Sequence, residues 1–382
     1  MDASAKNYLS FIQGKCSELL RDMNAITAAA DAAAERIVTG GKLYATGDEA
    51  GFQSECSSRA GGLMGIKTVD EDLADGDVVL AATTGVSDGS TYRDTLAEYR
   101  TKGALVILIG SRECAERGVE DLFIDNHLSK GLSPVFEFSD RPICPTAGVC
   151  DVAALWTFVS EYIAACTRRG KMPVCWQSGG IDAGKARNTL LKGRVFHDDG
   201  EFDITPVGAG EKGREYLYNL QRCFAAIGNL EIGKFEQAGS LAAEAIGKGS
   251  TVWCGVIGHH LHSQKGIEGD PGFFNISAPE SKEEAGTFKP GDVYLFNGYF
   301  FYPGDQLEKV REAGIPSVWL LGGRETQSVY PQPGETHIDA YWRYGDGALS
   351  FPGYDIRVVP PSGVIMTTTL WMLTAQTAAA LA

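Results

Sequence analysis

The sequence predicts an α/β protein made of two copies of one domain, each built on a parallel β-sheet. Three observations carry this expectation. Short apolar strands alternate with helices of about 12 residues, the pattern of βαβ units. The same ordered series of elements occurs twice along the 382 residues. Each series also closes on a long apolar helix, entered at Gly148-Val149 in one half and at Gly363-Val364 in the other.

Taken in order, two amphipathic patterns open the first half, Asn7 to Arg21 and Ile26 to Val38, and Gly40-Gly41 stops the second. A β-branched and aromatic strand, Lys42 to Thr46, runs into Gly47. The second half opens the same way, with Glu215 to Ile227, Ile232 to Ile246, a Lys-Gly-Ser stop and the strand Thr251 to Cys254 into Gly255. Gly76-Asp77-Val78 then begins an apolar strand, as Gly291-Asp292-Val293 does. Each is followed by a loop, a helix ending in Gly103 or Gly314, and a further strand, ALVILIG or PSVWLLG. Ile124-Asp125 is echoed by Ile338-Asp339, and Leu155-Trp156 by Leu370-Trp371. So many matches in one order indicate a duplication. The expected division is a domain over 1–192, a connector over 193–212 and a diverged copy over 213–382. Right-handed crossovers put ligands at the carboxyl ends of the strands. Interest therefore falls on the loops Gly47 to Gln53 and Thr83 to Thr91 and on their counterparts.

Composition narrows the function. Forty-nine acidic residues against 34 basic ones leave a net charge of −15. That field repels phosphate backbones and anionic lipid heads, which disfavours nucleic-acid and membrane-surface partners. No uninterrupted apolar run reaches the roughly 18 residues of a membrane span, and the N-terminus has no secretory pattern. Nine scattered cysteines without a Cys-x-x-Cys spacing read as buried, reduced thiols of a cytoplasmic protein, with no structural metal.

Four stretches of the first half form a family pattern. Gly47-Asp48-Glu49-Ala50-Gly51-Phe52 precedes Glu55-Cys-Ser-Ser-Arg59-Ala-Gly-Gly-Leu63. Gly76 to Ser111 gives Gly-Asp-Val, a strand, a hydroxyl-rich loop, a helix and a second strand. Glu120-Asp-Leu-Phe-Ile-Asp125-Asn126 follows, and later Pro173-Val-Cys-Trp-Gln-Ser178-Gly-Gly-Ile-Asp182-Ala-Gly-Lys185-Ala-Arg187-Asn188. Over residues 5 to about 192 the chain resembles a sugar isomerase (SIS) domain. More narrowly it resembles the bacterial phosphosugar-binding SIS proteins, and more distantly phosphoheptose isomerase. The resemblance implies two duplicated three-layer α/β/α sandwiches of flavodoxin-like type. It implies a small sugar or sugar phosphate as ligand, no cofactor and a homodimer of tandem-domain chains. The second half resembles the family mainly through its duplication of the first, and Gly258-His259-His260-Leu261-His262 is similar to the family's Gly-His-Ser-His loop.

The residues suggest specific chemistry. Thr83, Thr84, Ser87, Ser90 and Thr91 surround a helix N-terminus, where unpaired N–H groups suit a phosphate. The same hydroxyls could equally cap the helix, and Asp88 opposes an anion. Glu55 and Arg59 stand four apart. One reading is an exposed i,i+4 ion pair on a helix; the other is a carboxylate base with a cation that steadies an enediolate oxygen. The resemblance to phosphoheptose isomerase implies the catalytic reading, with Glu49 as a spare acid and Gly47 at the strand end. His259, His260 and His262 form a polar loop, read either as seam packing or as a proton shuttle for ring opening, with His127 as a rival. Ser178, Lys185, Arg187 and Asn188 gather cations and small residues, read either as an anion site or as connector. The expected function is a sugar-phosphate or acidic-sugar enzyme, an aldose–ketose isomerase with Glu55 as base. The alternatives are a non-catalytic phosphosugar sensor and a lyase or deglycase on the same scaffold.

Overall fold

The computed structural model describes residues 4–47, 51–70, 72–83, 90–115, 118–129, 136–275, 288–303, 306–323 and 330–382. Helices α1 (Ser4–Arg21) and α2 (Met23–Val38) come first. In α1, Tyr8, Leu9, Ile12, Cys16 and Leu19 recur at helical spacing and form its buried face. Strands β1 (Leu43–Gly47), β2 (Ile66–Thr68), β3 (Val78–Thr83), β4 (Leu105–Gly110) and β5 (Leu122–Asp125) then build one all-parallel sheet in the order β2-β1-β3-β4-β5. Helices α3 (Phe52–Cys56), α4 (Ser90–Thr101) and α5 (Arg112–Ala115) interrupt it, and a short antiparallel pair follows, β6 (Glu137–Phe138) with β7 (Arg141–Pro142). The long helix α6 (Ala147–Arg168) and α7 (Asp182–Leu191) end this half.

The second half repeats the scheme with α8 (Glu211–Leu230), α9 (Ile232–Gly247), β8 (Val252–Val256), α10 (His259–Gln264) and β9 (Val293–Asn297). Helix α11 (Gln306–Ala313), β10 (Ser317–Leu321), β11 (Glu335–Asp339) and the long α12 (Ser362–Leu381) complete it. Its sheet is parallel throughout, in the order β11-β10-β9-β8. Strands β3, β4, β9 and β10 are buried along their whole length, as sheets covered on both faces require.

The repeated Gly-Asp-Val has a mechanical role. Asp77 accepts from the Lys42 amide at 2.7 Å and the Ala74 amide at 2.9 Å. Asp292 does the same for the Thr251 amide at 2.9 Å and the Lys289 amide at 3.0 Å. Each carboxylate thus pins the start of the central strand to its neighbour. The preceding Gly76 and Gly291 take positive φ (+89° and +94°), where a side chain is strained.

Helix packing crosses between the halves. α2 and α8 lie on α6, while α1 and α9 lie on α12. The first helix of each half therefore covers the other half's long helix. Glu161 of α6 accepts from the amides of Gly210 and Gly213, both at 2.7 Å, and so satisfies the N-terminus of α8. One hydrophobic cluster runs through both halves as a result.

Against the expectation drawn from uninterrupted runs, α6 and α12 are each long and apolar enough on average to cross a membrane. Asp151, Glu161 and several threonines break the runs without making either helix polar. In this fold the apolar stretch of α6 is wholly buried and that of α12 is 83% buried, so both serve as core helices. Cys16, Cys56, Cys144, Cys150 and the other described cysteines are buried and unbridged.

Candidate functional site

The chain leaves β1 at Gly47 and re-enters regular structure in α3, which carries Glu55. The helix stops at Cys56, because Ser57 is extended and Ser58 adopts φ +53°. Arg59 therefore does not share a helix with Glu55, contrary to the expected i,i+4 helical face. The pair forms across the turn instead, with Arg59 Nε 3.1 Å from Glu55 Oε1. Nor is it solvated: Glu55 is 0% and Arg59 3% exposed.

The pair is tied into the fold from both sides. Trp156 Nε1 on α6 donates to Glu55 Oε1 at 3.1 Å, and the His260 amide donates to Oε2 at 3.1 Å. Arg59 reaches Asp346 Oδ2 at 3.0 Å and the Ser362 hydroxyl. Asp346 in turn accepts from the Ser362 amide at 3.2 Å and hydroxyl at 2.8 Å, at the start of α12. Two glycines allow this closeness. A Cβ on Gly363 would stand 2.0 Å from Glu55 Oε1, and one on Gly61 (φ +78°) would meet the Asp346 carbonyl at 3.0 Å. The Arg-Ala-Gly-Gly-Leu block is thus a docking surface for the second half.

Burial pushes the Asp346 carboxyl up to about 6, although Arg59 and the Ser362 hydrogen bonds pull against it and Glu55 adds to it. Burial also opposes the Arg59 charge, but Glu55 and Asp346 outweigh it and hold the guanidinium above its ordinary value.

The three clustered histidines are not a loop. Gly258, at φ +147°, leads into α10, and the His262 amide bonds the Gly258 carbonyl at 2.9 Å. Helical geometry then sends the side chains apart. His260 is buried, with Nδ1 3.2 Å from Thr367 Oγ1 and Nε2 3.3 Å from the Gln264 amide nitrogen. His259 sets Nδ1 3.0 Å from the Ser54 carbonyl oxygen, and His262 is exposed.

Above the Glu55–Arg59–Asp346 cluster lies a cleft of 350 Å³ between the halves. Its walls are Ser58 to Ala60, Trp176 to Gly180 with Asn188, Ile257 to His259, and Tyr299 with Phe301. Two of these segments, Ile257 to His259 and Tyr299 with Phe301, lie just beyond the carboxyl ends of β8 and β9, where parallel-sheet ligands sit. The Arg59 guanidinium lies 5.9 Å from the Tyr299 ring centroid, and the Tyr299 hydroxyl donates to Ser178 Oγ at 3.4 Å. Asn188 is locked by its own segment, accepting from the Gln177 amide at 2.9 Å and donating to the Gln177 carbonyl at 2.7 Å.

Of the residues expected from sequence, Arg59, Ser178, Asn188 and His259 meet in the cleft, with Glu55 and His260 behind its wall. Others lie elsewhere. Gly47 and Thr83 end their strands outside the cleft lining, and Ser90 and Thr91 open α4. Glu49, Thr84 and Ser87 lie outside the described residues. Lys185 is exposed, and Arg187 is occupied by Asp355 at 3.1 Å and the Tyr354 hydroxyl at 2.9 Å, latching α7 to the second half. His127 (φ +60°) sits at the α1–α2 corner, with Nε2 3.1 Å from Asp22. Ligand-type atoms of Asp22, Asp125 and His127 lie within 4.8 Å of one another. Cations stand close by: Arg112 pairs with Asp125 at 2.9 Å, and Lys15 donates to the His127 carbonyl.

Sequence reasoning missed Asp346, Ser362, Trp156 and Tyr299 as partners of the cluster. A signal existed for the α12 end, because the repeated order of sequence elements aligns Gly363-Val364 with Gly148-Val149. For Asp346 there was only its setting between two glycines.

No protein-family model matches the chain, and no curated protein matches its sequence. Among solved structures, the C-terminal domain of glucosamine-fructose-6-phosphate aminotransferase from Francisella tularensis covers 96% of each chain, at 9% identity and a TM-score of 0.50. A protein from Silicibacter pomeroyi, provisionally named a phosphosugar isomerase, covers 98% of this chain and 97% of its own at 12% identity and a TM-score of 0.47. A Salmonella typhimurium protein, provisionally named sugar-binding, covers 97% of this chain and 99% of its own at 12% identity and 0.49. The fold is the SIS type, two parallel-sheet α/β halves across the whole chain.

Proposed function

We propose that the cleft between the halves binds a phosphorylated or otherwise acidic sugar. The observation that carries this is the make-up and place of the cleft. Aromatic walls from Trp176, Tyr299 and Phe301 suit the C–H faces of a sugar. Ser178, His259 and the glycine-rich backbone at 179–180 and 258 offer hydrogen-bond groups for its hydroxyls and its anionic group. The structure of like fold from Francisella is named for fructose 6-phosphate chemistry, which supports the same substrate class. The test is thermal-shift and calorimetric titration with a panel of aldose phosphates, ketose phosphates and uronates. At least one should give saturable binding that weakens about tenfold in Ser178→Ala or His259→Ala. A panel with no binder sinks the proposal.

A second reading, aldose–ketose isomerisation, is favoured by His259. Its Nδ1–H donates to the Ser54 carbonyl, which leaves Nε2 as the ring nitrogen not used by the fold, on an imidazole of the cleft wall. We assign proton transfer to this nitrogen. Glu55, enclosed behind Arg59, then fixes the guanidinium. Hydrogen–deuterium exchange at the sugar carbon next to the carbonyl distinguishes the two groups. His259→Ala should abolish exchange while binding persists; loss of exchange in Glu55→Gln at unchanged affinity would return the base role to Glu55.

We also propose that residues 1–192 and 213–382 are two copies of one domain joined by 193–212. The matched orders β1-β3-β4-β5 and β8-β9-β10-β11 and the twin aspartate clamps support this.

A further inference from the structure

Away from the cleft, a groove of 700 Å³ runs between α8 and the chain that leads into α12. Arg214 and Arg222 face it from two turns of α8, and Arg343 and Arg357 from the opposite wall. In a chain of net charge −15 this is an unusual convergence of cations. Several arginines elsewhere are answered by a carboxylate: Arg59 by Glu55 and Asp346, Arg187 by Asp355, Arg311 by Glu335.

Here, among the described residues, none of the four is in an ion pair. Arg214 donates to the Gly210 carbonyl, Arg222 to Asn219 Oδ1, and Arg357 to the carbonyls of Gly347 and Ala348 and to Ser350 Oγ. Two glutamates also line the groove, Glu211 and Glu215, and Glu215 is bound to Lys212 at 2.6 Å. The crowding is felt inside the wall: burial, then the neighbouring charges of Arg343 and Arg222, lower the pKa of Arg357 despite Glu215.

Four guanidiniums against two carboxylates, one of them already bound to Lys212, leave the groove net positive, and guanidinium forks match oxyanions. We propose that this groove is a binding site for a small molecule carrying two or more oxyanion charges. It is separate from the cleft: the two share no lining residue. The proposal stands or falls independently of the sugar reading.

The test is calorimetric titration of the full chain with pyrophosphate and, separately, citrate, at constant ionic strength so that screening does not vary. The partner is Arg222→Gln/Arg343→Gln; both side chains are exposed, so the fold should be kept, as an unchanged melting temperature without ligand will show. The unmodified chain should bind at least one anion saturably, and the double variant should raise its Kd roughly tenfold or more. Pyrophosphate alone identifies a phosphate-type ligand, whereas equal binding of citrate identifies a general polyanion site. Saturable binding of neither anion overturns the proposal. So does a Kd that moves less than about twofold in the double variant, which places the anion elsewhere.

Discussion

Glu55, Arg59 and Asp346 carry two negative charges and one positive charge in an almost wholly buried cluster. Such a group holds its geometry firmly, because removing one member strands the rest. Arg59→Ala is expected to cost about 3–5 kcal/mol of unfolding free energy by denaturant titration. Replacing all three together, as Glu55→Gln, Arg59→Met and Asp346→Asn, should recover much of that loss, since no uncompensated charge remains. Asp346 also gives a pH signature. Its folded value of about 6 lies above its usual 3.8, so between those limits the folded chain holds a proton that the unfolded chain has released. Stability from this group is present at low pH and lost as pH rises through about 6. Relative to Asp346→Asn, the unmodified protein should lose on the order of 2–3 kcal/mol between pH 4 and 7. A pH-independent difference between the two would refute it.

At the scale of elements, the entry to α12 decides whether the cluster closes. Gly363 lies in the first turn of this helix, where alanine is ordinarily the better helix former. Here the added methyl would meet Glu55 Oε1 at 2.0 Å, so Gly363→Ala should lower stability by about 1–3 kcal/mol rather than raise it. The helices and strands themselves were legible in the sequence: the expected strand Thr251 to Cys254 became β8, and the pattern Ile232 to Ile246 became α9. Short elements were not. α3 ends before Arg59, and the histidine loop is a helix, because six or fewer residues show too little periodicity to read. The candidate cleft was half legible. Arg59, Ser178, Asn188 and His259 stood out as polar residues at strand ends or glycine turns, whereas Tyr299 and Asp346 depend on contacts between segments far apart in sequence.

At the scale of the whole molecule, the exchange of helices is the dominant feature. α1 covers α12 and α8 covers α6, with Ala5 donating to Gln376 at 3.3 Å and Glu161 satisfying the start of α8. A fragment of residues 1–192 keeps its sheet but bares the faces of α1 and α6 that the second half covers. It is expected to aggregate or to lack a cooperative melting transition, and co-expression with 193–382 should restore one. Cooperative unfolding of the fragment alone, at the melting temperature of the full chain, would contradict this.

By itself the sequence determined the α/β class, the twofold series of elements, the parallel sheets and the acidic field. These follow from local periodicity, from glycine stops and from composition, which are properties of neighbouring residues. Only the tertiary structure decided that Glu55 is enclosed, that Arg59 joins two carboxylates, that three adjacent histidines point to three environments, and that four distant arginines share a groove. Those facts depend on which segments meet, and burial and charge compensation exist only once they have met.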